Sequence, residues 1–231
     1  MRVELASVVL PVYNQAGHIA GILEEYVEAV AKLDFPCEIL PVVNGVRKDA
    51  SLEICRGMES RYPAIRTLCI DGGGWGRAVR AGLKEARGEL LCYTNSARTA
   101  PRDLQLLLLY GSIHTDSVIK ASRKIRESWR RRLGSLLYNL ECRMLFDLPY
   151  WDINGTPKVF HRRLHKLTEL RHDDDLIDLE FNAICRAHDY PVIEVPIFSS
   201  TRRSGRSTTG MRSAWRMYAG AFKLRRELKH A

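Results

Sequence analysis

Beyond the apolar run Leu90–Tyr93, which reads as the end of a buried strand, come Thr94, Asn95, Ser96, Ala97 and Arg98. In an open α/β sheet, ligands sit beyond the carboxyl ends of the strands. Small and amide side chains there leave room for a ligand. Arg98 adds a guanidinium, which can grip a phosphate through two parallel hydrogen bonds. Two other strand ends carry compatible groups. At Pro11-Val12-Tyr13-Asn14-Gln15, proline stops a ladder, Tyr13 offers a face for stacking a base, and Asn14 and Gln15 supply amide donors and acceptors. At Asn44-Gly45, an amide stands beside a residue able to turn tightly. The run Asp71-Gly72-Gly73-Gly74-Trp75-Gly76-Arg77 leads straight into a helical pattern, so its backbone N–H groups can approach an anion at a helix N-terminus; it also reads as a plain flexible turn. It lacks the Gly-Lys-[Ser/Thr] of a Walker loop, and it does not follow the first strand, as a dinucleotide fingerprint does. The one acidic cluster, Arg171–Glu180 (RHDDDLIDLE), is expected to cap the helix after it. Cation binding or a general base at Asp173–Asp175 are its alternative uses.

These groups need a scaffold that brings strand ends together, and the first half of the chain supplies one. Strands at 6–13, 37–43, 65–71, 89–94 and 116–122 alternate with helical patterns at 16–33, 49–62, 76–87 and 101–111, the last begun by proline. Continuous apolar strands alternating with helices predict an α/β fold with a mostly parallel sheet covered on both faces. The second half is less regular. Helices are expected at 127–146, 161–170, 176–188 and about 210–228, with short strands at 157–160 and 191–198. The domain expectation is one α/β unit over 1–208 and a basic amphipathic C-terminal helix over 209–231.

The chain has 231 residues, 45% hydrophobic and 27% charged, enough for one domain with a substantial core. Its net charge of +9 points to a polyanionic partner: nucleic acid, phosphorylated metabolites or an anionic membrane. The charge is concentrated. Residues 120–132 hold seven Lys/Arg against Glu127, and residues 201–231 hold nine against Glu227. No nucleic-acid module is recognisable, so nucleic acid is not expected as a partner. Both basic blocks are interleaved with apolar residues, Trp129, Leu133, Leu136, Leu137 and Leu140 in one, Met211, Trp215, Tyr218 and Phe222 in the other. That pattern suits helices lying at an anionic membrane surface. No run reaches the roughly 20 apolar residues of a spanning helix. Six scattered cysteines without a CxxC pair read as reduced core residues, and no leader is visible at the start. The expected location is cytoplasmic, peripheral on the inner face of the membrane; the sequence does not set an oligomeric state.

Taken in order, SVVLPVYN, EILPVVNG, GGWGRAVRAGLKEARGELLCYTNSARTAPRDL, ASRKIRESWRRRLGSLLYN, DINGTPKVFHRR and YPVIEVPIFSSTRRSGRS resemble the family 2 glycosyltransferases. The resemblance runs from Ser7 to about Ser207 and is strongest to the polyprenyl-phosphate sugar transferase branch. It implies the GT-A fold, with a nucleotide-sugar site at the carboxyl ends of the sheet. Pro11, Tyr13, Asn14, Gln15, Asn44, Gly45, Gly76, Arg77, Thr94, Asn95 and Ser96 would line that site. Arg123 and Arg131 would meet the phosphate of a polyprenyl-phosphate acceptor, with Ser135, Asn139, Asp152, Lys158, Asp178, Glu180 and Ser207 on the acceptor side. Arg202, of the Arg-x-x-Gly-x-Ser segment, joins the charge stabilisers.

Three positions depart from the family pattern. Gln15 stands for a glutamate, Asn44 for an aspartate, and Asn95-Ser96-Ala97 for the Asp-x-Asp that holds a divalent cation. All three changes remove negative charge from one pocket. The expectation is therefore a nucleotide-sugar transferase with no metal cofactor, in which Arg98, with Arg77 or Arg202, stabilises the leaving diphosphate. A domain that only binds nucleotide or a partner, and a soluble transferase with a small phosphorylated or hydroxyl acceptor, are the alternatives.

Overall fold

The computed structural model describes residues 3–45, 49–124, 129–198 and 211–229, with side chains described outside 129–133, 211–216 and 227–229. In chain order the elements are β1 (Ala6–Val12), α1 (Ile19–Val30), β2 (Cys37–Val43), α2 (Ser51–Arg61), β3 (Leu68–Cys69), α3 (Trp75–Glu85), β4 (Leu90–Tyr93), α4 (Pro101–Ile113), β5 (Val118–Arg123), α5 (Trp129–Phe146), β6 (Lys158–His161), α6 (Ile177–Ala187), β7 (Val192–Ile197) and α7 (Met211–Lys229). The strands form one sheet in the order β3-β2-β1-β4-β6-β5-β7. All neighbours are parallel except β6, which runs antiparallel to both β4 and β5. This is the mostly parallel α/β sheet that the apolar strands predict.

Both faces are covered because the central strands are apolar on both sides. Every residue of β1 and of β4 is buried. One face packs under α1, α2 and α4, with Leu23, Tyr26, Leu104 and Leu107 at its centre. The other packs under α3, α5, α6 and α7, with Val79, Leu83, Phe160 and Phe181. Helix α7 belongs to this second core through Met217, Ala221 and Leu224, all buried, and its Tyr218 hydroxyl donates to the Gly134 carbonyl at 2.9 Å. Four cysteines are buried and all six are unbridged.

Two expectations need correction. The run 65–71 forms only the two-residue β3 plus an isolated bridge from Ile65 to Ile39; it is the sheet's edge, with a partner on one side only. The segment 161–170 is not an α-helix. His161 ends β6, paired with Leu90, and a 3-10 turn covers His165–Thr168. The side chain of Arg162 pins this corner to the carbonyls of Ala86 and Gly88. Leu167 is buried within this turn, and Leu164 and Leu170 are buried on either side of it.

Helix α3 approaches the sheet closely. A Cβ on Gly82 would lie 2.2 Å from Val9 Cγ1 and 3.1 Å from Val42 Cγ2. An alanine in an open helix position is worth about 1 kcal/mol over glycine, but here the methyl enters a filled space, at a cost of about 1–3 kcal/mol. Gly82→Ala is therefore expected to lower the urea midpoint, with the slope unchanged. A raised midpoint would contradict this packing.

Candidate functional site

The carboxyl ends of β1, β2 and β4 meet on one rim. The β1–β4 ladder stops at Val9–Tyr93, two residues before Pro11, and Asn44 N–H reaches back to the Val12 carbonyl at 3.1 Å. Tyr13 is exposed on this rim, with its ring against Gly45, where a Cβ would come within 2.7 Å of it. Gly45 has φ +78° and Asn14 φ +49°, left-handed values that glycine and asparagine tolerate best.

The turn after β4 is tightly bonded to itself and to its neighbours. The hydroxyls of Thr94 and Thr99 share a 2.6 Å bond. Asn95 Oδ1 accepts from Ala97 N–H at 3.0 Å, and its carbonyl accepts from Arg98 and Thr99. Buried Tyr26 donates to the Thr99 carbonyl. Ser96, also buried, donates to Gln15 Oε1 at 2.6 Å, so two of the acid-less positions touch. Arg98 is half-buried on this turn. At the third such position, Asn44 Nδ2 donates to the Val12 carbonyl at 3.0 Å and Oδ1 accepts from Gly74 N–H at 3.3 Å. Both ends of the amide are therefore used inside the protein, joining β1 to the glycine loop. An aspartate could not make the first bond.

The glycine loop is a packed element. A Cβ on Gly76 would fall within 2.3 Å of the His172 carbonyl and 2.7 Å of that of Asp174, so only glycine lets segment 172–174 lie so close. Asp173 accepts from Arg77 Nη2 at 2.8 Å and also from Arg80. Burial pushes the Asp173 carboxyl up, but the two guanidiniums hold it below the usual carboxylate range. Arg77 thus stands beside the glycine loop with its charge already met by Asp173. The acidic run does not cap α6 with a side chain; instead Asp174 accepts from Leu176 N–H and Asp173 clamps α3. Glu180 accepts from the Arg171 and His172 N–H groups and bonds the His172 ring.

Beneath the rim lies a buried ionic cluster. Lys158 has no exposure and pairs with Asp178, which also accepts from Tyr93 Oη at 3.0 Å and Trp75 Nε1 at 3.2 Å. The Lys158 ammonium lies 5.2 Å from the Tyr93 ring centre and 5.5 Å from that of Phe181. Burial pushes its pKa down, and Asp178 opposes this. Arg123 binds Asp152 side-on, with Nε and Nη2 each at 2.7 Å. Asn139 Oδ1 accepts from Ile153 N–H, and Ser135 is half-buried on α5. Of the expected acceptor residues, Lys158 meets Asp178, Arg123 meets Asp152, and Asn139 steadies the loop beside them. Arg202 and Ser207 lie outside the described residues, and the Arg131 side chain is likewise not described.

Sequence reasoning misses Trp75, Tyr93, Lys120, Asn182 and Glu194. A lysine inside the apolar strand VIKAS was the available signal for Lys120. Nothing local marks Tyr93, whose partner is 85 residues away. On α5, Leu136, Leu137, Leu140 and Met144 are exposed together, as is Phe222 on α7. No helix among the described residues is long and apolar enough to cross a membrane. Among the described residues, no three His, Cys, Asp or Glu side chains gather into a metal-binding group.

Comparison with known proteins places this geometry. Residues 7–167 match the model of glycosyl transferase family 2. The undecaprenyl-phosphate 4-deoxy-4-formamido-L-arabinose transferase of Sodalis glossinidius is 22% identical over 210 residues, 90% of this chain and 63% of that protein. The protein of the same name from Pseudomonas paraeruginosa is 28% identical over 165 residues, 70% and 48% of the two chains. The chain thus spans less than two thirds of these relatives' lengths. Glucosyl-3-phosphoglycerate synthase from Mycobacterium tuberculosis, solved with Mn2+, UDP and glucosyl-3-phosphoglycerate, superposes with TM-score 0.70 at 13% identity, covering 96% of this chain and 80% of that one. This likeness confirms the GT-A architecture.

Removing one member of a buried ion pair leaves an uncompensated charge, at a cost of about 3–5 kcal/mol. Lys158→Met is expected to lose stability on that scale in urea denaturation. Adding Asp178→Asn should recover part of it, because contacting sites are not additive. Strictly additive losses would show that the two side chains do not interact.

Proposed function

The chain belongs to glycosyl transferase family 2, and on that footing we propose that it transfers a sugar from a nucleotide-sugar to a polyprenyl phosphate, with inversion at the anomeric carbon. The observation that carries the acceptor assignment is Arg123. Its guanidinium sits at the carboxyl end of β5, held side-on by Asp152, which leaves the Nη1 edge to face an oxyanion. Relatives named for undecaprenyl-phosphate transfer support a lipid phosphate.

A phosphate acceptor also suits the acids. A hydroxyl acceptor needs a base to take its proton, and Asp173 is held ionised by two arginines. A phosphate monoester is already an anion. Its oxygen attacks the anomeric carbon as the bond to the donor diphosphate breaks, and the nucleoside diphosphate leaves with the electron pair.

At the position of the family's metal-binding acids, the residues do not fit a divalent cation. Such ions take several charged oxygens. Asn95 offers one neutral oxygen already bonded to Ala97 N–H, Ser96 donates to Gln15, and Ala97 has no donor atom. Arg98, on the same turn, takes the stabilising role. The exposed apolar stripe of α5, which follows the basic block 120–132 in the sequence, suits peripheral attachment to an anionic membrane.

The test incubates the protein with labelled nucleotide-sugars and a short polyprenyl phosphate. Label should enter the lipid phosphate, and Arg98→Ala should cut turnover about a hundredfold or more, the scale of losing one preorganised stabiliser. Arg98→Lys should restore only part. Nucleoside diphosphate binding without transfer to any phosphate acceptor would overturn the proposal in favour of a binding domain.

A further inference from the structure

Lys120 is wholly buried on β5, a strand buried at every position but its last, where an apolar side chain is expected. Placing a charge there is costly, and a well-packed apolar residue would often be as stable or more so. Its ammonium bonds Glu194 Oε1 at 3.2 Å and Asn182 Oδ1 at 3.2 Å, and lies 5.2 Å from the Tyr150 ring centre. Glu194 on β7 accepts the N–H groups of Trp151, at 3.1 Å, and Asp152, at 3.2 Å. Asn182 on α6 donates to the Ile153 carbonyl at 3.0 Å. The two partners of Lys120 therefore hold both ends of the loop 151–153. The middle of that loop carries Asp152, whose carboxylate receives Arg123 N–H, Nε and Nη2.

We propose that Lys120 is a positioning residue for the acceptor: through Glu194 and Asn182 it fixes the Trp151–Ile153 loop, so that Asp152 turns the guanidinium of Arg123 toward the acceptor phosphate. The proposal rests on the assignment of Arg123 to that phosphate. It makes Glu194 the second positioning residue.

The groups facing Lys120 are Glu194 from β7, Lys158 from β6, Asp152 from the loop, Tyr150 beside it and Cys185 from α6. Burial pushes the Lys120 pKa down to about 8, with Glu194 opposing. Burial also pushes Tyr150 and Cys185 up to about 12, so they stay neutral through this range. Above about pH 8 Lys120 loses its charge and its hold on Glu194 weakens. The sign for stability is opposite. A lysine whose folded pKa is depressed binds fewer protons folded than unfolded between its two pKa values, so its contribution to stability rises with pH there. Acceptor affinity should fall while this stability contribution grows, which a purely structural lysine would not produce.

The experiment measures the affinity of the protein for farnesyl phosphate by calorimetry as a function of pH, alongside its affinity for a nucleoside diphosphate. In the wild type, farnesyl phosphate affinity should drop through about pH 8. Lys120→Met should weaken it about tenfold at neutral pH, equivalent to about 1.4 kcal/mol, and abolish the drop; nucleoside diphosphate affinity should stay unchanged. Glu194→Gln, which keeps an accepting oxygen for the loop, should give a smaller loss of the same kind and serves if Lys120→Met does not fold. Arg123→Ala separates the two assignments. Should Arg123→Ala leave farnesyl phosphate affinity intact, Arg123 is not the phosphate ligand and the premise fails. Should Arg123→Ala weaken binding while Lys120→Met, or Glu194→Gln in its place, matches the wild type in affinity and pH profile, the positioning role alone is refuted.

Discussion

A lysine and an aspartate meet out of reach of water beneath the rim of the sheet, and the arrangement of the site depends on that pair. Neither Lys158 nor Asp178 can stand buried alone. The aspartate takes two further hydrogen bonds, from Tyr93 at the end of β4 and from Trp75 at the start of α3. One carboxylate thus ties the strand that leads into the 94–98 turn, the helix that follows the glycine loop, the antiparallel strand β6 and helix α6. The rim at the end of β4 and the side built by β6 and α6 share one electrostatic joint. Two more pairs, Arg123–Asp152 and Lys120–Glu194, extend it under β5 and the 151–153 loop, so three buried or half-buried cations are matched by three acids.

The same accounting explains the character of the rim at the ends of β1, β2 and β4. Asp152, Asp178, Glu194 and Glu180 bond interior groups, and Asp173 is clamped by Arg77 and Arg80. The three positions at which the resemblance implies acids, Gln15, Asn44 and Asn95–Ala97, are neutral, and they are integrated. Gln15 is bonded to Ser96, and Asn44 to Val12 and Gly74. Restoring one acid would disturb bonds that now close: an aspartate at 44 would set a carboxylate oxygen against the Val12 carbonyl. The neutral side chains of Gln15 and Asn44 are therefore held in place by bonds within the protein.

Much of the scaffold is legible in the sequence because it follows from local pattern. Strands β1, β2 and β4 are mainly apolar runs, and the helices between them carry one apolar face. The mostly parallel sheet and the three strand ends of its rim follow from that pattern, and the GT-A fold from the family resemblance carried by motif order. What escapes is non-local. The Arg77–Asp173 clamp joins residues 96 apart, and the spacing of the acidic run suggests a cap just as well. The leucines at 164, 167 and 170 fit a helix until the Arg162 anchor and the β6 pairing set the backbone. Lys120 stands out as a charge in an apolar strand, but its purpose depends on Glu194 and Asn182, which arrive from two other elements.

Calorimetric binding of a nucleoside diphosphate to the wild-type protein, with EDTA and then with Mn2+ in excess, tests the central claim most directly. If fixed protein charge takes the place of the metal, the two affinities should agree within about threefold, less than 1 kcal/mol. Affinity that collapses in EDTA and returns with Mn2+ would contradict the account.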